Sequence, residues 1–113
     1  MALRLENTNA LITGGASGIG RATAIRFAEE GANIFVADRH LAAAEETAAA
    51  VKNLGRKALA YQVDTSDEAQ VNAMVAQMVR DLGSVNIVVA AAGISHAPGT
   101  RTTSISARAA PLR

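Results

Sequence analysis

The chain has 113 residues, half of them apolar, with 11 Lys and Arg against 10 Asp and Glu and no cysteine. A chain of this length holds at most one domain, which would bury about two-thirds of its unfolded surface, and the apolar share excludes disorder by composition. The charge balance leaves no nucleic-acid footprint up to Gly93, and the missing cysteine excludes disulfides, thiolate zinc sites and thiol catalysis.

In chain order, Ala10 to Ile12 is a short apolar run that predicts a first strand. It leads into Thr13-Gly14-Gly15-Ala16-Ser17-Gly18-Ile19-Gly20, after which an amphipathic stretch from about Ile19 to Glu30 predicts a helix stopped at Gly31. A strand, a glycine turn and a helix start are how a protein holds a dinucleotide pyrophosphate. Gly14 can turn the chain off the strand, Gly18 lets backbone approach the phosphates, and Gly20 permits close packing of the new helix. The helix N-terminus, with its free N–H groups and partial positive charge, then faces the anion. A Walker loop shares the spacing of Gly15 and Gly20, but Arg21-Ala22 stands where Lys and Ser or Thr are needed.

Asn33 to Ala37, ending at Asp38, reads as a buried second strand, and the alanine-rich Leu41 to Leu54 as a second helix stopped at Gly55. Lys57 to Val63 suits a third strand. Thr65-Ser66-Asp67-Glu68 resembles a capping box, and Val71, Met74, Val75, Met78, Val79 and Leu82 then recur at helical steps, with the methionines as core filler. Gly83 ends this helix, and Asn86 to Ala92 predicts a fourth strand, continuously apolar and buried on both faces. The pattern β-α-β-α-β-α-β implies an α/β, Rossmann-like, doubly wound parallel sheet with strand order 3-2-1-4. Right-handed crossovers place the first two helices on one face and the third on the other, and leave the fourth strand at an edge that invites self-association.

The domain read from residues 1–93 gives way at Ile94 to a segment through Arg113 with no acidic residue, both prolines and scattered Ser, Thr, Ala and Arg. It reads as an irregular tail, and Arg101, Arg108 and Arg113, lacking aromatics or clustering, as solvated rather than nucleic-acid binding. Met1 to Glu6 lacks the apolar core of a signal peptide, and the apolar stretch around Ile87 to Ile94 is too short to span a bilayer. A soluble, cytoplasmic chain with no membrane or metal partner is the expectation.

From about Leu5 to Gly93 the chain resembles the N-terminal half of a short-chain dehydrogenase/reductase, whose Thr-Gly-x3-Gly-x-Gly is complete from Thr13 to Gly20. The resemblance implies cofactor contacts at Gly14, Ser17, Gly18, Ile19 and Gly20. It also implies that Asp38, ending the second strand, accepts hydrogen bonds from the adenosine ribose hydroxyls. A carboxylate there favours NAD over NADP, whose 2′-phosphate would meet a like charge, although the neighbouring Arg39 is a guanidinium able to bind that phosphate. Asp64 and Thr65 match the family's adenine contact, and Asp64 reads equally as a carboxylate at a helix entry. Ala90-Ala91-Ala92-Gly93 stands where the family usually has Asn-Asn-Ala-Gly, so Ala90, Ala92 and Gly93 are left with backbone contacts to the nicotinamide ribose.

The family's chemistry uses a Tyr with a Lys four residues later. The single tyrosine here, Tyr61, is followed at that distance by Thr65, and the two lysines, Lys52 and Lys57, precede the fourth strand. Tyr61 therefore reads as a packing residue, Ser95, Ser104 and Ser106 as too near the fourth strand to be the family's serine, and His40 and His96 as loop or surface residues. No catalytic residue is assigned. The resemblance implies hydride exchange between nicotinamide and a small alcohol or ketone in a full-length, commonly homo-oligomeric relative. The chain itself is expected to be an inactive cofactor-binding part, arising by truncation, a frameshift after Gly93 or a gene fragment. A non-catalytic nucleotide-binding or regulatory module, or a degenerate product with no ligand, are the alternatives.

Overall fold

A computed structural model describes residues 4–16 and 18–91, and the backbone of 106–109. Its elements are β1 (Asn9–Thr13), α1 (Gly18–Glu29), β2 (Asn33–Asp38), α2 (Leu41–Asn53), β3 (Ala58–Gln62), α3 (Glu68–Leu82), β4 (Ile87–Ala90) and β5 (Ser106–Ala109). The described strands form one sheet in the order β3-β2-β1-β4-β5, with β1 to β4 mutually parallel. The 3-2-1-4 arrangement is thus present, and it brings the C-terminal ends of β1, β2 and β3 to a common rim.

Two apolar layers hold the sheet. On one face Ala24 and Ala28 of α1 and Ala44, Ala48 and Val51 of α2 pack over Ala10, Ile12, Ile34, Val36 and Val89. The small helical side chains let α1 and α2 lie close to β-branched strand residues that fill the space between them. On the opposite face Met74 and Met78 of α3 pack on Leu11, Phe35, Ala37 and Val63. Tyr61 joins this second layer, its ring 5.6 Å from that of Phe35. A hydrogen-bonded end-piece closes the sheet at the opposite end from the rim: Asn9 Nδ2 donates to the Leu82 carbonyl and Ser84 Oγ, while Asn9 Oδ1 accepts from Asn33.

Three sequence expectations need correction. First, β4 is not buried on both faces: all of β1 is buried, whereas in β4 only Val89 is, with Ile87, Val88 and Ala90 half-buried. Among the described residues α3 alone covers the second face, and it leaves Val75 and Val79 exposed. Secondly, β4 is not an edge. Its outer side pairs antiparallel with β5, from Ile87 opposite Ala109 to Ala90 opposite Ser106. Thirdly, the irregular tail therefore contains a strand at Ser106–Ala109. Four residues carry too little local pattern to be read as a strand. Their partner is the row of N–H and C=O groups that β4 presents, a tertiary template invisible to local propensity.

Candidate nucleotide site

The site is built on the rim where β1 and β2 end. Gly14 leaves β1 with φ of 73°, a backbone setting that a side chain would resist, and its N–H donates to the Ala37 carbonyl of β2 at 2.8 Å. The turn is thereby tied to the neighbouring strand before α1 begins at Gly18. Gly20, in the first turn of α1, is held against the turn it has just left. A Cβ there would lie 1.9 Å from the Gly14 carbonyl oxygen and 2.7 Å from its carbon, so only glycine fits. At Gly18 nothing lies within 4 Å of where a Cβ would stand. One glycine permits close packing while the other keeps the space above the first helical turn open, where unpaired N–H groups favour an anion.

Asp38 ends β2 with its carboxylate already engaged. Oδ2 accepts from the Ala16 N–H at 3.1 Å and Oδ1 from the His40 N–H at 3.0 Å, so the side chain joins the glycine turn to the start of α2. A carboxylate has about four acceptor positions, which leaves about two free for further donors. Past β3, Val63 is tied back to the Asp38 carbonyl at 3.0 Å. Asp64 then accepts from the Ser66 hydroxyl at 2.7 Å and from the Ser66 N–H at 2.9 Å. These bonds, the hydroxyl's first, hold its carboxyl below the usual aspartate range against an opposing contribution from burial, with the Arg39 guanidinium adding the smallest share.

These parts enclose a cavity of about 580 Å³ lined by Gly14, Gly18, Ile19, Gly20, Asp38, Arg39, Asp64 and Thr65, together with His40, Val63, Ser66 and Ala91. Eight of the twelve residues assigned from sequence therefore meet at one place. Ala90 does not line it. That residue pairs with Thr13 inside the sheet, and the next residue, Ala91, reaches the cavity with its N–H on the Thr13 carbonyl at 2.9 Å. Ser17, Ala92 and Gly93 lie outside the described residues, as do Ser95, His96 and Ser104.

The capping signal before α3 is also displaced from its expected place. Asp67, not Thr65 or Ser66, is the N-cap, accepting from the N–H groups of Ala69 and Gln70. Gln70 completes a reciprocal arrangement, donating to Asp67 Oδ2 at 3.1 Å and accepting from the Asp64 N–H at 2.9 Å. Asp64 thus shapes the entry to α3 through Ser66 while one side of it faces the cavity. The Asp67-x-x-Gln70 spacing and the Asp64-x-Ser66 turn are both present in the sequence and would have located these roles.

The rim geometry invites comparison with known proteins. A family model described as short chain dehydrogenase matches residues 8–109. The chain belongs to this family. The match runs past Gly93 and includes β5. Among curated short-chain relatives, a 2,5-dichloro-2,5-cyclohexadiene-1,4-diol dehydrogenase of Sphingobium indicum is 41% identical over 105 residues, covering 93% of this chain and 42% of that protein. A sorbitol dehydrogenase of Cereibacter sphaeroides is 42% identical over 87 residues, covering 77% and 33%. Among solved structures, a short chain dehydrogenase from Mycobacterium paratuberculosis bound to NAD superposes with a TM-score of 0.76 at 36% identity, covering 81% of this chain and 39% of that one. A carveol dehydrogenase from Mycobacterium avium in complex with NAD gives 0.76 at 33% identity, covering 87% and 41%. The chain thus spans between 33% and 42% of the length of these relatives.

Proposed function

We propose that this chain binds a nicotinamide adenine dinucleotide, NAD in preference to NADP, as the cofactor-binding portion of a short-chain oxidoreductase. The observation that carries this reading is the meeting of Gly18, Gly20, Asp38 and Asp64 around a single cavity at the carboxyl ends of three parallel strands. Ligands of open α/β sheets bind in that crevice. The pieces also suit the ligand chemically. The space above Gly18 and the first turn of α1 suits a pyrophosphate, and the free acceptor positions of Asp38 suit ribose hydroxyls. The turn around Asp64 and Thr65 suits an adenine edge.

A bound nicotinamide supplies the ring carbon that takes or gives hydride in exchange with an alcohol or ketone. The residues of this chain hold the adenosine and pyrophosphate parts. Asp38 selects the ribose by accepting its hydroxyl protons and by opposing a 2′-phosphate. Arg39 stands beside it, exposed and close enough to act on the charge of Asp64, and it tempers that opposition. None of the residues assigned here moves a proton to or from a substrate, and no Tyr-x3-Lys occurs in the sequence.

A nucleotide-binding module without turnover is the alternative reading, and it shares the same dinucleotide site. Calorimetric titration with NAD and NADP, followed by an assay of NAD reduction with a panel of secondary alcohols, tests what the two readings share. Saturable NAD binding without reduction above the protein-free rate is expected of the 113-residue chain. Reduction above that rate would assign chemistry to residues not identified here. Absence of NAD binding by folded protein would refute both readings.

A further inference from the structure

The glycine turn is shaped by its own residues and also gripped by two neighbours. Ala16 is buried between Gly15 and the segment leading to Gly18. Its N–H donates to Asp38 Oδ2 at 3.1 Å, and its carbonyl accepts a long hydrogen bond, 3.5 Å, from the hydroxyl of Thr47. Thr47 lies in the middle of α2 with no exposed surface, on a stripe otherwise made of Ala44, Ala48 and Val51. Packing alone would be served by another alanine or a valine, and a hydroxyl buried in apolar surroundings is unfavourable unless it is bonded. Threonine in a helix commonly satisfies itself on the carbonyl of its own preceding turn. Here the recorded partner among the described residues is a carbonyl 31 positions earlier in the chain.

We propose that Thr47 is a positioning residue of the nucleotide site: together with Asp38 it fixes both polar groups of Ala16, and so sets the course of the turn beneath the phosphates. The inference rests on the dinucleotide reading above. The two clamps differ in consequence. Asp38 lines the cavity and meets the ribose, so changing it alters the choice between NAD and NADP. Thr47 is wholly buried and touches no ligand, so changing it weakens every ligand that carries the pyrophosphate by the same factor.

The test uses two substitutions that separate the hydroxyl from the methyl group. T47V keeps the shape and loses the hydroxyl, whereas T47S keeps the hydroxyl and loses the methyl. T47V is expected to weaken NAD, NADP and ADP alike by roughly two- to threefold, the lower end for one net hydrogen bond because this one is long, with T47S close to the parent protein. In the ligand-free protein T47V should also speed hydrogen exchange at the Ala16 amide, and T47S should not. The opposite order, with T47S the more damaged variant, would show that Thr47 acts by packing and would overturn the proposal. So would a change in the NAD to NADP ratio in T47V, or exchange at Ala16 equal in both variants. If T47V does not fold, T47A replaces it, since this helix face already carries alanine at 44 and 48, and the same order against T47S is required. If the parent protein binds no dinucleotide, the functional reading fails, and Ala16 exchange still decides whether the clamp exists.

Discussion

Replacing Gly20 with alanine should destabilise the turn more severely than replacing Gly18. The new Cβ would stand 1.9 Å from the Gly14 oxygen, 2.7 Å from the Gly14 carbon and 3.0 Å from the Gly15 Cα. All three are backbone atoms of a turn tied to β2 through the Ala37 carbonyl, so no side chain can rotate away to relieve the contact. The gap to the oxygen must open from 1.9 Å to beyond 3.0 Å, and α1 must move bodily off the turn. Overpacking of this kind typically costs about 1–3 kcal/mol, a large part of the roughly 5–15 kcal/mol that holds a domain folded. A displacement of about 1 Å in a positioning element can also cost about a hundredfold in function. G20A should therefore melt at least several degrees below the parent protein and lose measurable NAD binding. G18A is the internal control for stability: in the ligand-free protein no atom obstructs its Cβ, and only the φ of 60° opposes it, at about 1–2 kcal/mol. Thermal melts of both variants followed by circular dichroism give the comparison, and calorimetric NAD titration is read for G20A alone, because a methyl at Gly18 would enter the space proposed for the pyrophosphate. A G20A protein that melts and binds like the parent, or G18A that melts below G20A, would refute the packing argument.

Asp38→Ala should narrow the NAD over NADP preference by roughly ten- to hundredfold, the value of a charged hydrogen bond, in competition titrations. It should also weaken both dinucleotides, because the Ala16 N–H loses its acceptor. An unchanged ratio would make Arg39 the governing residue. Asp67→Ala removes the α3 cap, typically about 1 kcal/mol, and should lower the melting temperature by several degrees without altering the NAD to NADP ratio. Asp64 titrates below its ordinary value in the folded chain, so it stabilises the fold above the unfolded aspartate pKa of about 3.9 and loses that contribution as pH falls through its lowered folded value. Ser66→Ala should raise the Asp64 pKa, read by carbon-13 NMR titration, and make the acid unfolding limb begin at higher pH. No movement of the Asp64 resonance would show that Ser66 is not the cause.

Much of the fold was legible because α/β crossovers leave a strong periodic record. Met74, Met78 and their neighbours at helical spacing mark α3, and the glycines at 14, 18 and 20 mark the turn. The rest depends on contacts made across the chain. Thr47 looks like any helical threonine until α2 is laid beside the glycine turn. Ala90 and Ala91 are indistinguishable in sequence, and the register against Thr13 decides which of them faces the cavity. The strand at Ser106–Ala109 exists through the open side of β4 and not through its own composition.

The rim formed by Gly14, Gly18, Gly20 and Asp38 is proposed as a dinucleotide site. Titrating isotopically labelled chain with NAD and following backbone amide shifts tests it most directly. Saturable shifts are expected to centre on Gly14 through Gly20, Asp38 to His40, Val63 to Ser66 and the segment that begins at Ala91, with NADP requiring a higher concentration to reach the same end point. Shifts absent from these residues in a folded sample, or concentrated elsewhere on the sheet, would contradict it.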